Sequence, residues 1–412
     1  MSSIKLKHSG GNAVAISAPA SNPTADRTLT LPSTDADGVI TTKDSNDSLQ
    51  AVSGVNGGAL SNRNVIINGA MLVNQRSSTD TAVTATGDNQ YLTVDRFKWR
   101  NYGGSGLASF TQVLGDYPSS EHRFSLKATV TTVNTTEDGF DSSIAYRVEG
   151  YDWQRFGWGR SNPKSATISF WAKTSVAGVY SVSMRSGDGT RSQVQETPSL
   201  SANTWTKVAL TFTGDTNTAW VGSNYATNGA GCLIEWNLGK SNSKNTSTLG
   251  SWIAGNKVAS DNQVRWIATS GATFFLTGVQ VEVGDTATAF EHLSYGDTLA
   301  KCQRYFLHYD SSDAPFARYG LGISTSGTTC PTRIEFPVQM RTVPTLTTAG
   351  NLSVSSAAAG YAVTGLTLET NTCTKNVGQV IATVSSGLTA HKPYYLESNN
   401  NNSSKVQFSA EL

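Results

Sequence analysis

The chain has 412 residues, with 15% charged residues, a formal net charge of +1 and four cysteines. That length exceeds one ordinary core and predicts two or three domains. The near-neutral balance, without a Lys/Arg cluster, leaves no footprint for a phosphate backbone or an anionic membrane surface, so nucleic-acid binding and membrane insertion are not expected.

Residues 1–60 hold three short strand-like runs, Ala13–Ser17, Thr28–Leu31 and Gly38–Thr42, set apart by Ser, Pro, Asn and Asp. Val14, Ile16, Leu29, Leu31, Val39 and Ile40 are nearly all of their large aliphatics. Such a segment makes no core alone, and its regular strand spacing predicts folding by intertwining with other copies, in a homotrimer. The first twenty residues contain no continuous apolar stretch of the secretory kind. The expectation is therefore assembly in a reducing cytoplasm, with Cys232, Cys302, Cys330 and Cys373, which form no C-x-x-C pair, as buried thiols.

From residue 61 to about 295 the character changes, and all nine tryptophans fall here. Apolar alternation recurs in Leu126/Ala128/Val130, Ile168/Phe170/Ala172, Tyr180/Val182/Met184, Val208/Leu210/Phe212 and Val279/Val281/Val283. Turn signals lie between these runs: Glu137-Asp138-Gly139, Ser186-Gly187-Asp188-Gly189 and Thr213-Gly214-Asp215. Their spacing predicts a jelly-roll-like β-sandwich with Phe170 and Val208 inside it. Residues 296–313 are expected to form a connecting helix, with Leu299, Cys302, Tyr305/Phe306 and Tyr309 at helical spacing over Asp297–Tyr309 behind an Asp297 cap. Strand patterns resume over 314–412, predicting a smaller C-terminal β-sandwich whose Asn-rich tract at 398–404 is a loop. The fold class is all-β.

Three stretches carry a resemblance. Asn64-Val-Ile-Ile-Asn-Gly-Ala-Met-Leu-Val-Asn-Gln-Arg76 followed by Tyr91-Leu-Thr-Val-Asp-Arg-Phe-Lys98 resembles the start of a β-sandwich module of phage tail fibres and related virion proteins. Phe275 to Glu291, leading into Cys302-Gln-Arg-Tyr-Phe306, resembles the end of that module, whose fold is similar to jelly-roll carbohydrate-binding modules. Phe336-Pro-Val-Gln-Met-Arg-Thr-Val-Pro-Thr345 resembles the opening of the small β-domain that follows it, and Ile4–Asn12 with Thr28–Pro32 resembles a segment of tail-fibre-like proteins of marine phages. The resemblance implies a virion fibre that engages a host-surface glycan or protein through 314–412 or the sandwich, and other virion proteins through residues 1–60. An architectural head or tail decoration and a polysaccharide depolymerase are the alternatives.

No nucleophile elbow, phosphate loop or metal-ligand spacing is present, and no catalytic residue is assigned; a non-enzymatic protein is expected. The richest constellation is Tyr151-Asp-Trp-Gln-Arg-Phe-Gly-Trp-Gly-Arg160. Aromatic faces there suit the apolar faces of sugar rings while polar groups bond hydroxyls, which makes Tyr151, Trp153, Arg155 and Trp158 carbohydrate candidates, with Trp252 a further one; core filling is the competing role for these rings. No cofactor is expected beyond the structural calcium found in many jelly-roll modules, for which Asn68, Glu282 and Asp285 are the nearest ligand types, against ordinary turn and surface roles.

Overall fold

The computed structural model describes residues 3–7, 13–17, 61–136, 141–221, 227–356 and 359–412. The chain divides into two compact units, Met1–Ser53 and Gly54–Leu412. In the first, Ser3–Lys7 pairs antiparallel with Ala13–Ser17, in a register that sets Ile4 opposite Ile16 and Leu6 opposite Val14. The expected runs at 28–31 and 38–42 lie outside the described residues, as does the turn at 137–139.

The second unit opens with a sandwich of two six-stranded sheets. The back sheet runs Ile253–Ala254, Arg191–Glu196, Ser181–Ser186, Ala230–Asn237, Asp141–Glu149, Lys98–Tyr102; the front sheet runs Thr206–Phe212, Ala166–Thr174, Thr273–Val283, Phe124–Thr132, Leu107–Leu114, Val83–Thr84. Strands form because alternate side chains are apolar, and each sheet turns that row towards the other. Leu126, Ala128, Ile168, Phe170, Val182, Met184, Val208 and Val281 are all at or below 1% exposure in one continuous core, as the alternation predicts. Phe170 meets Trp236 edge-on at 5.8 Å, and Trp99 meets Phe110 at 5.8 Å.

The connecting helix is shorter than expected. It spans Tyr295–Gln303 and is capped by Ser294, whose side chain accepts from the Asp297 amide, in place of the Asp297 cap. Beyond Gln303 the chain extends: Phe306–Asp310 pairs with Lys405–Ser409, and this long-range ladder ends the helix where local periodicity would continue it.

The C-terminal strands differ from the packed open sheets expected. Six of them close into a barrel in the order Arg318–Ile323, Thr329–Glu335, Val377–Val384, Gly360–Leu368, Leu352–Ser355, Pro393–Ser398. A three-stranded sheet of Phe306–Asp310, Lys405–Ser409 and Thr345–Ala349 accompanies it. Closure depends on close approach at two glycines: a Cβ on Gly320 would meet the Arg333 carbonyl at 2.4 Å, and one on Gly322 the Pro331 carbonyl at 2.3 Å. The four cysteines are buried and unpaired, and no helix among the described residues is long and apolar enough to cross a membrane.

Candidate functional site

The aromatic segment at 151–160 divides at a tight corner. Strand Asp141–Glu149 runs into one helical turn, Gly150–Trp153, and a 3-10 turn, Gln154–Phe156, closed by Gly157 in the left-handed region (φ +66°). That winding places Trp153 and Phe156 on the same side, stacked at 4.2 Å with Trp158 edge-on at 4.8 Å. Trp220 and Trp252 complete the cluster, 4.7 and 4.9 Å from Trp158. Trp153 and Trp158 are 0% exposed. Their rings cannot reach a sugar, so both belong to the core rather than to a binding surface, as their apolar area favours. Trp252 is half-buried at the rim, its indole N–H spent on the Thr213 carbonyl at 2.7 Å.

The polar half of the segment turns outward into a cleft of about 420 Å³. Tyr151, 53% exposed, and Arg155 line it with Asp152, Asn62 and Asn64, and with Lys301 from the end of the helix. Arg155 Nη1 donates to the Asn62 carbonyl at 2.6 Å, fixing one wall. Burial pushes the Asp152 carboxyl above its ordinary value, against the lowering pull of Arg155. The floor is locked: Glu149 accepts from Arg304 Nε and Nη2 at 3.0 and 2.6 Å and from the Tyr305 hydroxyl at 2.6 Å. With three donors on it Glu149 is a structural anion, leaving Asp152 as the accessible acid. The arrangement offers an exposed ring face beside an acid, a lysine and two asparagines, in a volume within the roughly 300–1,000 Å³ of small-ligand sites.

The three calcium candidates are not brought together. Asn68, buried and left-handed at φ +64°, spends its amide on the Val73 amide and on the carbonyls of Val73 and Asp95. Glu282 accepts from Gln280 and from the amide and hydroxyl of Thr288, whereas the Asp285 side chain bonds Thr286. These are turn roles, and among the described residues no group of three or more His, Cys, Asp or Glu side chains is arranged to hold a metal.

Asn62, Asn64 and Lys301 were not singled out by sequence, and Asp152 entered only as one of the polar groups of the 151–160 segment. The corner itself held the signal, since Trp153 and Phe156 are spaced as one helical face while Tyr151 and Asp152 precede that face.

No protein-family model matches the chain, and no curated protein matches it. Among solved structures it is similar to the enzymatically active domain of tailspike protein 4 of bacteriophage CBA120, at 14% identity and a TM-score of 0.26, over 53% of this chain and 21% of that one. The chain thus spans about a fifth of that tailspike domain. It is also similar to a family 11 carbohydrate-binding module of Clostridium thermocellum (13% identity, TM-score 0.24, 53% of this chain and 100% of that one). A third likeness is to the tandem of two family 22 modules of Paenibacillus barcinonensis Xyn10C (10% identity, TM-score 0.21, 85% and 98%).

Proposed function

We propose that this chain is the subunit of a homotrimeric virion fibre that attaches the particle to its host, and that the cleft at Tyr151 takes a surface glycan. The observation that carries the glycan reading is the pairing of an exposed tyrosine ring with hydrogen-bonding groups of both signs on a pinned frame. Ring faces supply area at low entropic cost, and Asp152, Lys301 and Asn62 supply direction, while the Asn64 amide is engaged by the backbone of Ile66, Val279 and Val281. The sequence resemblance to fibre modules, running in order along the chain, supports the virion role. The two-strand pairing in Met1–Ser53 supports assembly through that segment, because an isolated hairpin is marginal in water and gains by pairing with further copies. Weak sites suffice in a fibre, since tethered copies raise the effective concentration of the next contact. On this reading the cleft binds rather than cleaves, in keeping with its lining: among the described residues its carboxylates are Asp152 and Glu149, and Glu149 is held by Arg304 and Tyr305.

The test is a glycan array probed with the full chain and with Tyr151→Ala, Asp152→Asn and Lys301→Gln. Each variant is expected to lose about tenfold in affinity for the glycans the parent selects. Parent-like binding by all three, with thermal stability unchanged, would remove the cleft from the reading, and release of reducing ends from a bound polysaccharide would replace adhesion by hydrolysis.

A further inference from the structure

The outer face of the front sheet carries a second aromatic surface that the cleft does not use. Alternation along Ala166–Thr174 sends Phe170 and Ala172 to the core and turns Trp171 and Lys173 the other way, where both are half-buried. The register then sets a row across the sheet: Lys173 opposite Phe275, Phe275 opposite Lys127, and Lys127 opposite Thr111; in the next row Trp171 lies between Thr277 and Lys207. Neighbouring strands lie about 4.8 Å apart, so cations recur across this face at about 10 Å with an aromatic ring between them.

The rings are fixed in place. Phe275 has Lys173 Nζ at 4.2 Å and Lys127 Nζ at 5.6 Å from its centroid, and Trp205 meets it edge-on at 6.0 Å. Asp116 accepts from the Trp205 indole at 3.1 Å and pairs with Lys173, which joins the sheet edge to the row. Trp171 sits over a bulge between Thr277 and Gln280, where Gly278 has φ +60°. A Cβ on Gly278 would lie 2.9 Å from His122 and 3.1 Å from Trp171 Cδ1, so the glycine lets ring and backbone approach.

Of the three lysines on this face, one is neutralised and two are not. Lys173 is matched by Asp116, whereas neither Lys127 nor Lys207 has an ion pair among the described residues. Thr111, Thr129 and Thr273 share the face in the same registers. Phe275 is buried at 7% exposure, and the half-buried Trp171 and Trp205, beside unmatched positive charge and flanking hydroxyls, fit a polymer that presents apolar ring faces and negative charge together. That combination is the chemistry of an acidic polysaccharide. A duplex nucleic acid shields its base faces and is gripped by many phosphate contacts, and three lysines without an arginine are too few for one.

We propose that this face, built on Trp171, Trp205, Phe275, Lys127 and Lys207, is a second binding site, specific for a carboxylated polysaccharide. Sugar rings lie on the two indoles, and carboxylates pair with Lys127 and Lys207. The site is separate from the cleft at Tyr151 and stands whether or not the cleft binds.

The experiment is affinity electrophoresis of the full chain through gels containing polygalacturonate, with dextran as the neutral comparison. The parent is expected to be retarded by polygalacturonate alone, less so as salt rises, because the screening length shortens about threefold for each tenfold rise in ionic strength. The double variant Lys127→Gln/Lys207→Gln, which alters side-chain tips and leaves the packing alone, is expected to lose about tenfold in affinity. Trp171→Ala is expected to lose binding as well, and Tyr151→Ala to keep it in full. Unchanged retardation of the double lysine variant, equal retardation by dextran, no retardation of the parent, or tighter binding to duplex DNA than to polygalacturonate would each overturn the proposal.

Discussion

Replacing Glu411 by Gln tests the joint between the sandwich and the segment that follows the three-stranded sheet. The Glu411 carboxylate reaches Arg76 Nη2 at 2.9 Å and closes a shorter contact with Arg96. Arg96 is 1% exposed, lies 3.5 Å from the centroid of the Tyr305 ring and donates to the Arg147 carbonyl at 2.8 Å. Arg76 has a second partner in Asp95 at 2.7 Å, so the two buried arginines and two buried acids balance. An amide at 411 keeps the shape and removes one charge, which leaves the Arg96 guanidinium uncompensated in the interior. Breaking one side of a buried pair costs about 3–5 kcal/mol. For a cooperative unit the length of Gly54–Leu412, unfolding entropy at about 2.1 cal/mol/K per residue gives a fall in Tm of about 4–7 °C. Calorimetry on the full chain at about pH 8 reads it, above the value of about 6 to which burial raises Asp95, so that the second acid stays ionised. Arg96→Met with Glu411→Leu is expected to recover part of the loss, since an apolar pair needs no counter-charge. A Glu411→Gln Tm within about 1 °C of the parent would show that the joint does not depend on this charge.

Phe170→Ala removes a ring that is 1% exposed against Trp236, and a loss of about 3–5 kcal/mol is expected in urea unfolding. Parent-like stability would contradict the strand register. His122 is 2% exposed and stacked on His292 at 5.5 Å; burial, then the His292 charge, lowers it to about 4. With the folded value depressed, its contribution is full above the unfolded value of about 6.5 and is lost as pH falls through about 4, so His122→Gln is expected to flatten the acid limb of stability by up to about 3 kcal/mol. Identical pH profiles for parent and variant would refute that. Light scattering is expected to give a trimer for the whole chain and a weaker association for a chain starting at Ser61; a monomeric whole chain, or equal association of both, would remove the oligomerising role from the N-terminal segment.

The sandwich was legible because its pattern is one-sided: Leu126/Ala128/Val130 and Ile168/Phe170/Ala172 face a single core, so period-2 alternation and burial coincide. The same alternation sends Trp171 outward between Phe170 and Ala172, a signal present in the sequence and easily passed over. The end of the helix was not legible. Tyr305, Phe306 and Tyr309 sit at helical spacing, and the choice of strand rests with Lys405–Ser409, about a hundred residues on. Barrel closure was hidden for a related reason, since the need for glycine at 320 and 322 comes from the carbonyls of Arg333 and Pro331, which approach only in the fold. At the Tyr151 corner, composition revealed which residue types gather and not which way each points: of the carbohydrate candidates Tyr151 is exposed, whereas Trp153 and Trp158 take the competing role of core filling.

The cleft and the joint are one construction, and Tyr305 is the residue they share. Its ring carries the Arg96 guanidinium on one face, its hydroxyl donates to Glu149 in the cleft floor, and Arg304 beside it clamps the same carboxylate. Arg341 extends the tie: Nη1 donates to the Asn228 carbonyl, near the strand that packs on the Tyr151 corner, while Nε and Nη2 donate to the carbonyls of Ala410 and Glu411. The residues that follow Lys405–Ser409, the middle strand of the three-stranded sheet, therefore hold the cleft floor from behind, through buried Tyr305 and Glu149 and half-buried Arg304 and Arg341. These ties stiffen the polar walls around Tyr151, and a stiff wall would lower the ordering cost that a weak glycan site meets on each contact. The C-terminal region would then contribute to the proposed binding at the cleft without any residue of it touching the ligand.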